Sequence, residues 1–490
     1  MNLEEYFKIY RDNTVGYNFN FETCYGQKKM VYADWTASGR LYYPIEKKIT
    51  GIIGPYVGNT HSEASCVGKT MTALYNLSHK RIKEHVNAKA DDIIITVGSG
   101  MTSAIDKLQG ILGLKDTDRK KQISEKKYLS EDDRPVIFLT HMEHSSNYLS
   151  WLELDCELVI VKPSPVDVVN LNHLEDLLNR YKSRKLKIGS FTACSNVSGI
   201  KTPYYKMAKL MHKYGGLCFV DFAASAPSID IDMHPRDEEE RLDAIFFSPH
   251  KFLGGPGSAG VLVFNNNLYE NFVPDRPGGG TVTWVNPWGN RVYINNIEVR
   301  EDGGTPGFLQ SIRAYFAIEL KEMMTTEKIL KREEEILKIV FSELGNIEDI
   351  FIIEKDRIDR EAIVSICLAG IHNSLQTKIM NDRFGIQVRG GCMCAHTYAH
   401  FIFKLRRNLS ERITNFAENG NYSIKPGWTR YSFHPIMTDE DVYYICDSIK
   451  QLIKNYTSWK DDYTYMSSTN EFVNYRDKNM TDFYNKLLMI

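Results

Sequence analysis

Ala244-Ile245-Phe246-Phe247-Ser248-Pro249-His250-Lys251 is the stretch on which the fold turns. Its first four residues form an unbroken apolar run. That reads as a strand buried on both faces, since a half-exposed strand would alternate with polar residues. A glycine-rich segment, Gly254-Gly255-Pro256-Gly257, follows, and then a second apolar run, Gly260-Val261-Leu262-Val263-Phe264. Lys251 therefore lies just past a buried strand, with Ser248 and His250 beside it. An amine placed in this way can bond to a carbonyl group while the neighbouring hydroxyl and imidazole reach a phosphate on the same molecule. Taken alone, a lysine after a strand is more often a solvated surface residue.

Asp221 changes that balance. It ends another apolar run, Leu217-Cys218-Phe219-Val220-Asp221, about thirty residues before Lys251. A carboxylate there can keep a pyridine nitrogen protonated, so that the ring withdraws electrons from a substrate carbon. That is the chemistry of pyridoxal 5'-phosphate (PLP). The aspartate followed by Ser-x-His-Lys resembles the fold-type I PLP enzymes, and more narrowly the class V aminotransferases, the branch that includes cysteine desulfurases. The resemblance runs with gaps from about residue 30 to 450. It implies an α/β fold: a large PLP-binding domain on a seven-stranded, mainly parallel sheet, with a smaller α/β domain.

The residues around this pair read independently as such a sheet. Apolar runs recur at 93–97, 136–140, 157–161 and 186–191, then lead into Asp221, into Ser248 and through 260–264, with polar, helix-like stretches between them. Alternation of this kind argues a parallel sheet covered on both faces, with ligands at the strand ends. We expect an N-terminal segment over 1–30 and a large domain over 31–315, with the charge-dense stretch 115–134 as a surface insertion. A smaller domain over 316–455 opens on a helical pattern from Lys321 to Leu344 and has strands near 348–354 and 361–369. An aromatic and polar extension covers 456–490.

Composition narrows the functional classes. The 490 residues are 43% hydrophobic and 25% charged, ordinary values for a globular protein, and the net charge is −2. This balance gives no reason to expect nucleic acid or an anionic membrane as partner. No apolar run approaches a membrane span, and the first residues lack the basic and apolar regions of a signal peptide. Nine scattered cysteines argue against a disulfide framework. A reducing cytoplasm is the expected location.

Each remaining motif has a bland reading and a chemical one. Gly98-Ser99-Gly100-Met101-Thr102 opens a helix after a strand. Its backbone N–H groups, including that of Met101, suit an anion, and Thr102 adds a hydroxyl. A lone histidine after a strand is usually structural, and an asparagine beside glycine is usually a turn residue. The resemblance implies instead that His144, in Glu143-His144-Ser145-Ser146-Asn147, stacks on the cofactor ring and shuttles protons. It likewise implies that Asn196, in Ser195-Asn196-Val197-Ser198-Gly199, donates to the cofactor's phenolic oxygen. Glu301-Asp302-Gly303-Gly304-Thr305-Pro306 resembles a segment that crosses a homodimer interface to the neighbour's phosphate, so Thr305 is a site candidate and a homodimer is implied. Gly278-Gly279-Gly280-Thr281 resembles another loop of that interface. Asn59 and His61 resemble an active-site loop, and Arg430 resembles the arginine that binds the substrate carboxylate, where a guanidinium makes two parallel bonds.

The reaction itself is read from Val388-Arg389-Gly390-Gly391-Cys392-Met393-Cys394-Ala395-His396. It resembles the desulfurase segment Val-Arg-x-Gly-x-x-Cys-Ala, with Arg389 on the family's arginine and Cys394 on its nucleophile. A loop thiol near cations suits attack on the sulfur of bound cysteine. The expected function is thus conversion of L-cysteine to L-alanine, with the sulfur passing to Cys394 as a persulfide and on to a protein or small thiol. Departures are Ala224, where desulfurases carry a glutamine or histidine, and Cys392 with Met393, where histidines are common. Cys392, Cys394, His396 and His400 match no common zinc spacing, and no metal is assigned. Cys392 is either a buried thiol or an auxiliary to Cys394. The alternatives are a selenocysteine lyase, aminotransferase, epimerase or β-lyase in which Cys394 takes no sulfur, or a sulfur-handling scaffold without activity.

Overall fold

Every apolar run between residues 93 and 264 is a strand, and all seven join one sheet. The structure, a computed structural model, describes residues 2–115 and 130–490; most of the charge-dense stretch 115–134 lies outside them. The strands are β1 (Ile93–Val97), β2 (Val136–Thr140), β3 (Glu157–Val161), β4 (Lys187–Thr192), β5 (Leu217–Asp221), β6 (Ala244–Phe247) and β7 (Gly260–Phe264), in the spatial order β1-β7-β6-β5-β4-β2-β3. Neighbours from β6 through β3 pair in parallel, and β7 runs antiparallel to both β6 and β1. Parallel neighbours need crossovers. The helices Ser145–Leu152, Leu171–Arg180 and Tyr204–Lys213 provide three of them and the loop 222–243 the fourth, whereas the shorter link after β6 makes an antiparallel return.

Burial explains the unbroken apolar runs. Every residue of β2, β4, β6 and β7 is buried. Ile95, Ile105, Leu139, Phe219, Phe246 and Leu262 belong to one core cluster. The sheet lies in a compact unit formed by Asn13–Val15 and Thr36–Leu330. Because β1, β2, β4, β5 and β6 point the same way, the segments that follow them share one edge of the sheet.

The second unit comprises Met1–Asp12, Gly16–Trp35 and Lys331–Ile490. Its four-stranded antiparallel sheet contains β8 (Ile350–Ile352), β9 (Ile363–Leu368), β10 (Arg389–Gly391) and β11 (Trp428–Ser432), in the order β8-β9-β11-β10. The helix Asn373–Phe384 ends on Gly385 at φ 73°, where a Cβ would lie 2.3 Å from the Lys29 carbonyl oxygen. The long helix Asp439–Trp459 opens on a capping box between Thr438 and Asp441.

One expectation shifts. The helical pattern begins at Phe308, not near 320, and breaks at Thr325 (φ 60°) into helices Phe308–Met324 and Thr326–Leu344. The first of these is buried on most sides, so it lacks the two-faced pattern by which a surface helix is recognised. The extension beyond 456 holds a hairpin, Tyr463–Met466 with Glu471–Asn474, and a helix, Thr481–Leu488, with no buried residue. Among the described residues, no helix is long and apolar enough to cross a membrane.

Candidate active site

At the end of β1 the backbone packs closely against its neighbours. Gly98 sits at φ 52°, and a Cβ on it would lie 2.1 Å from Ser103 Oγ. A Cβ on Gly100 would lie 2.8 Å from Ser248 Oγ and 3.3 Å from His250 Nε2. The helix Met101–Ile111 begins here, and the Met101 N–H donates to Ser248 Oγ at 2.9 Å. Helix N-terminus, Ser248 and His250 therefore converge on one spot, as the phosphate reading requires. Burial, and then the charge of Lys251, lower the His250 imidazole to about 4, so it is neutral at ordinary pH. The Thr102 hydroxyl donates to Ser146 Oγ at 2.8 Å, and the Ser146 N–H donates to His144 Nδ1 at 3.1 Å. That last bond caps the helix Ser145–Leu152 and fixes the imidazole ring of His144.

Asp221 is 3% exposed at the end of β5. The Ala223 N–H donates to its Oδ1 at 2.8 Å. Burial raises its acid to about 6, and Lys251 is the cation that opposes the rise. Asp221 and Lys251 are thus within electrostatic reach, as their sequence pairing requires. Glu143 lies beside them as a structural hub. Its Oε1 accepts from the Thr140 N–H, the Thr140 hydroxyl and the Thr192 N–H, and its Oε2 accepts from Asn147 at 2.8 Å. Burial nevertheless lifts it to about 7, with the Asp221 charge adding to the rise. Asn147 also binds Ser190 and Trp151, so a buried network pins the loop that carries His144. Asn196, 7% exposed, follows β4 in a turn closed on Ser195, whose Oγ accepts from the Val197 and Ser198 N–H groups.

The other candidates of this unit sit on loops. Thr305 is exposed, and the two glycine-rich segments are neighbours, with the Gly304 N–H donating to the Gly279 carbonyl at 2.8 Å. Asn59 is exposed. His61, at φ 65°, lines a cavity of about 630 Å³ with Tyr75, His79 and Asp302.

In the second unit the two candidate arginines share one carboxylate. Arg430 Nη2 donates to Asp34 Oδ1 at 2.9 Å, and Arg389 Nε and Nη2 donate to Asp34 Oδ2 at 3.1 and 2.9 Å. The pairing of β10 with β11 sets Arg389 directly opposite Arg430. Arg430 is buried, which lowers its pKa against the pull of Asp34. For half-exposed Arg389, desolvation lowers the pKa, but the bond and charge of Asp34, with the Cys394 thiolate, raise it above the ordinary value. Cys394 is exposed and stands at φ 55° directly after Met393 at φ 49°. Two consecutive left-handed residues that are not glycine are costly and concentrate at functional turns.

The pattern of one protein family, described as aminotransferase class-V, matches residues 31–445. The chain belongs to that family. A probable cysteine desulfurase of Borreliella burgdorferi is 24% identical over 414 residues, covering 81% of this chain and 86% of that protein. A cysteine desulfurase of Synechococcus elongatus is 28% identical over 341 residues, covering 69% of this chain and 50% of the relative. Among solved structures, the apo cysteine desulfurase of Thermococcus onnurineus has a TM-score of 0.72 at 21% identity, covering 93% of this chain and 99% of that one. The cysteine desulfurase CsdA of Escherichia coli has a TM-score of 0.70 at 19% identity. The expected fold is therefore the observed one.

Membership in the class V family implies PLP. The residues present fit it: the N-terminus of the helix at Met101, Ser248 and His250 gather the donors a phosphate needs, and a buried acid raised by desolvation suits a ring cation. Sequence reasoning missed Asp34 and the hub role of Glu143. The Glu143, Asn147, Trp151 spacing of four residues was a usable signal for the second. Nothing local marks Asp34, which acts through arginines more than 350 residues away.

Proposed function

We propose that this class V enzyme converts L-cysteine to L-alanine and receives the sulfur on Cys394. The observation that carries the reading is an exposed thiol on a left-handed turn five residues after Arg389, whose guanidinium gains from the thiolate charge. Arg430 and Arg389, held side by side by Asp34, orient the substrate carboxylate. The Lys251 amine would hold the cofactor through its carbonyl carbon and, once released, would serve as the base for the substrate α-proton. Asp221 would pair with the ring nitrogen of the cofactor, Ser248, His250 and the helix N-terminus at Met101 would hold its phosphate, and His144 would lie against its ring. PLP, when bound, supplies the electron sink that makes the α-proton removable. The Cys394 thiolate attacks the substrate sulfur: an S–S bond forms, the substrate C–S bond breaks, and its electron pair stays with the carbon that leaves in alanine. Ala224 would offer the cofactor no polar contact where desulfurases usually carry a glutamine or histidine.

The test is release of alanine and sulfide from L-cysteine by PLP-loaded protein with reductant, beside Cys394→Ala. Matched yields that vanish in the variant, with the cofactor's visible absorbance intact, support the reading. Cofactor binding without sulfide would sink it and favour a class V lyase, aminotransferase or epimerase in which Cys394 takes no sulfur. A homodimer completed through Thr305 belongs to the same proposal, and sedimentation of the loaded protein tests it.

A further inference from the structure

Cys392 lies two residues before Cys394 and has the opposite environment. It is 4% exposed, and its thiol donates to the Pro426 carbonyl at 2.6 Å. The Ala395 N–H donates to the Cys392 carbonyl at 2.9 Å, closing a tight turn with Met393 and Cys394 at its tip. Beneath this turn lies a cavity of about 490 Å³, lined among others by Cys392, His396, Ile413, Ala417 and Lys425. Its far wall is the helix Arg407–Glu418, part of the long segment between the cysteine loop and β11. Cys392 lines this cavity and Cys394 does not.

We propose that Cys392 is a second sulfur carrier, which takes the sulfane sulfur from a Cys394 persulfide and holds it in this cavity. This rests on the desulfurase reading for the origin of the sulfur. In the transfer, the Cys392 thiolate attacks the terminal sulfur of the Cys394 persulfide. A bond forms between that sulfur and Cys392 Sγ, and the bond to Cys394 Sγ breaks. The electron pair stays on Cys394, which becomes the thiolate, and the proton given up by Cys392 returns to solvent or to Cys394. No oxidant or reductant is consumed.

What the transfer gains follows from the contrast in exposure of the two thiols. Such exchanges favour release of the better stabilised thiolate. Cys394 is exposed and near Arg389. Burial pushes the Cys392 thiol up to about 11, with Lys425 opposing and the Cys394 charge adding. With the sulfur on Cys392, the carrier is shielded from solvent and the exposed Cys394 is a thiol again. The transfer also frees Cys394 to accept a second sulfur.

The experiment uses PLP-loaded full-length protein and begins without L-cysteine. One equivalent of inorganic polysulfide is added, free thiols are alkylated, and the tryptic peptide Gly390–Lys404 is fragmented to locate the extra sulfur. The relay expects it on Cys392 in the wild type and on Cys394 in Cys392→Ser. It also expects cyanide to strip it from the wild type about tenfold more slowly than from that variant, since access governs attack on sulfur. In Cys394→Ser, Cys392 should load slowly, because the exposed acceptor is gone. Sulfur that remains on Cys394 in the wild type, a measurement that depends on no variant folding, overturns the proposal. So does equally fast loading of Cys392 without Cys394. L-cysteine without reductant should then yield about two alanines per chain in the wild type and about one in Cys392→Ser. If no alanine forms while the polysulfide arm succeeds, the relay stands and the desulfurase reading falls.

Discussion

Replacing Asp34 with Asn removes one negative charge from between two arginines while keeping nearly the same shape. Arg430 is 3% exposed and Asp34 is 8% exposed, so their 2.9 Å pair is buried. Deleting one partner of a buried pair typically costs about 3–5 kcal/mol, because the surviving charge is left without a counter-ion. The side chain of Arg389 is 53% exposed, and its pair with Asp34 adds at most about 1 kcal/mol. The asparagine oxygen can still accept one bond, so the lower end applies: a loss of about 3 kcal/mol, a large share of the 5–15 kcal/mol usual for a folded protein. Urea unfolding followed by tryptophan fluorescence measures this, with Arg389→Ala as the control expected to cost about 1 kcal/mol or less. The same geometry predicts a ligand effect. A carboxylate that occupies the arginines replaces the missing charge, so L-alanine should stabilise Asp34→Asn more than the wild type. A loss below about 1 kcal/mol would show that Arg430 is not held by Asp34, and an L-alanine effect equal in both proteins would remove the arginines from carboxylate binding.

Three further outcomes follow from the site and the helices. Asp221 is raised in the folded protein, so the stability it allows is complete below about pH 3.8 and is lost as pH rises through about 6. Cofactor-free wild type should therefore fall behind Asp221→Asn by about 3 kcal/mol over that window, and added PLP should close the gap; urea midpoints between pH 4 and 7 read both. Gly100→Ala would place a methyl 2.8 Å from Ser248 Oγ, and at about 1–3 kcal/mol for overpacking PLP affinity should drop by roughly tenfold or more, measured by absorbance titration, with unchanged circular dichroism. Thr325→Gly relieves a residue at φ 60° between two helices and should raise the thermal midpoint by the equivalent of about 0.5–1 kcal/mol; a lowered midpoint would show that the threonine is not strained.

Particular elements show why some of this was legible in advance. The strands of the main sheet announced themselves because most of their residues are covered on both faces, which favours near-continuous apolar runs; Lys187, Ser190 and Thr192 are the buried polar residues of β4. The glycine turn, Asn196, Asp221 and Lys251 were legible as candidates because each stands at, or a few residues beyond, the end of such a strand. In a sheet whose strands point the same way, local adjacency to a strand end is adjacency to the site. The helix Phe308–Met324 was misplaced by its start for a related reason: burial on most sides erased the periodicity that reveals an amphipathic helix.

What the chain determines by itself is which residue types stand at strand ends and in the cysteine loop, because that information is local in sequence. Tertiary structure alone decided that Asp34 joins Arg389 and Arg430, that Glu143 braces the loop of His144, and that Cys392 faces a cavity while Cys394 faces solvent. These are contacts between segments up to several hundred residues apart, or differences in burial between near neighbours. Burial and long-range pairing set the charge state of an acid, a guanidinium or a thiol, and composition and spacing do not encode them.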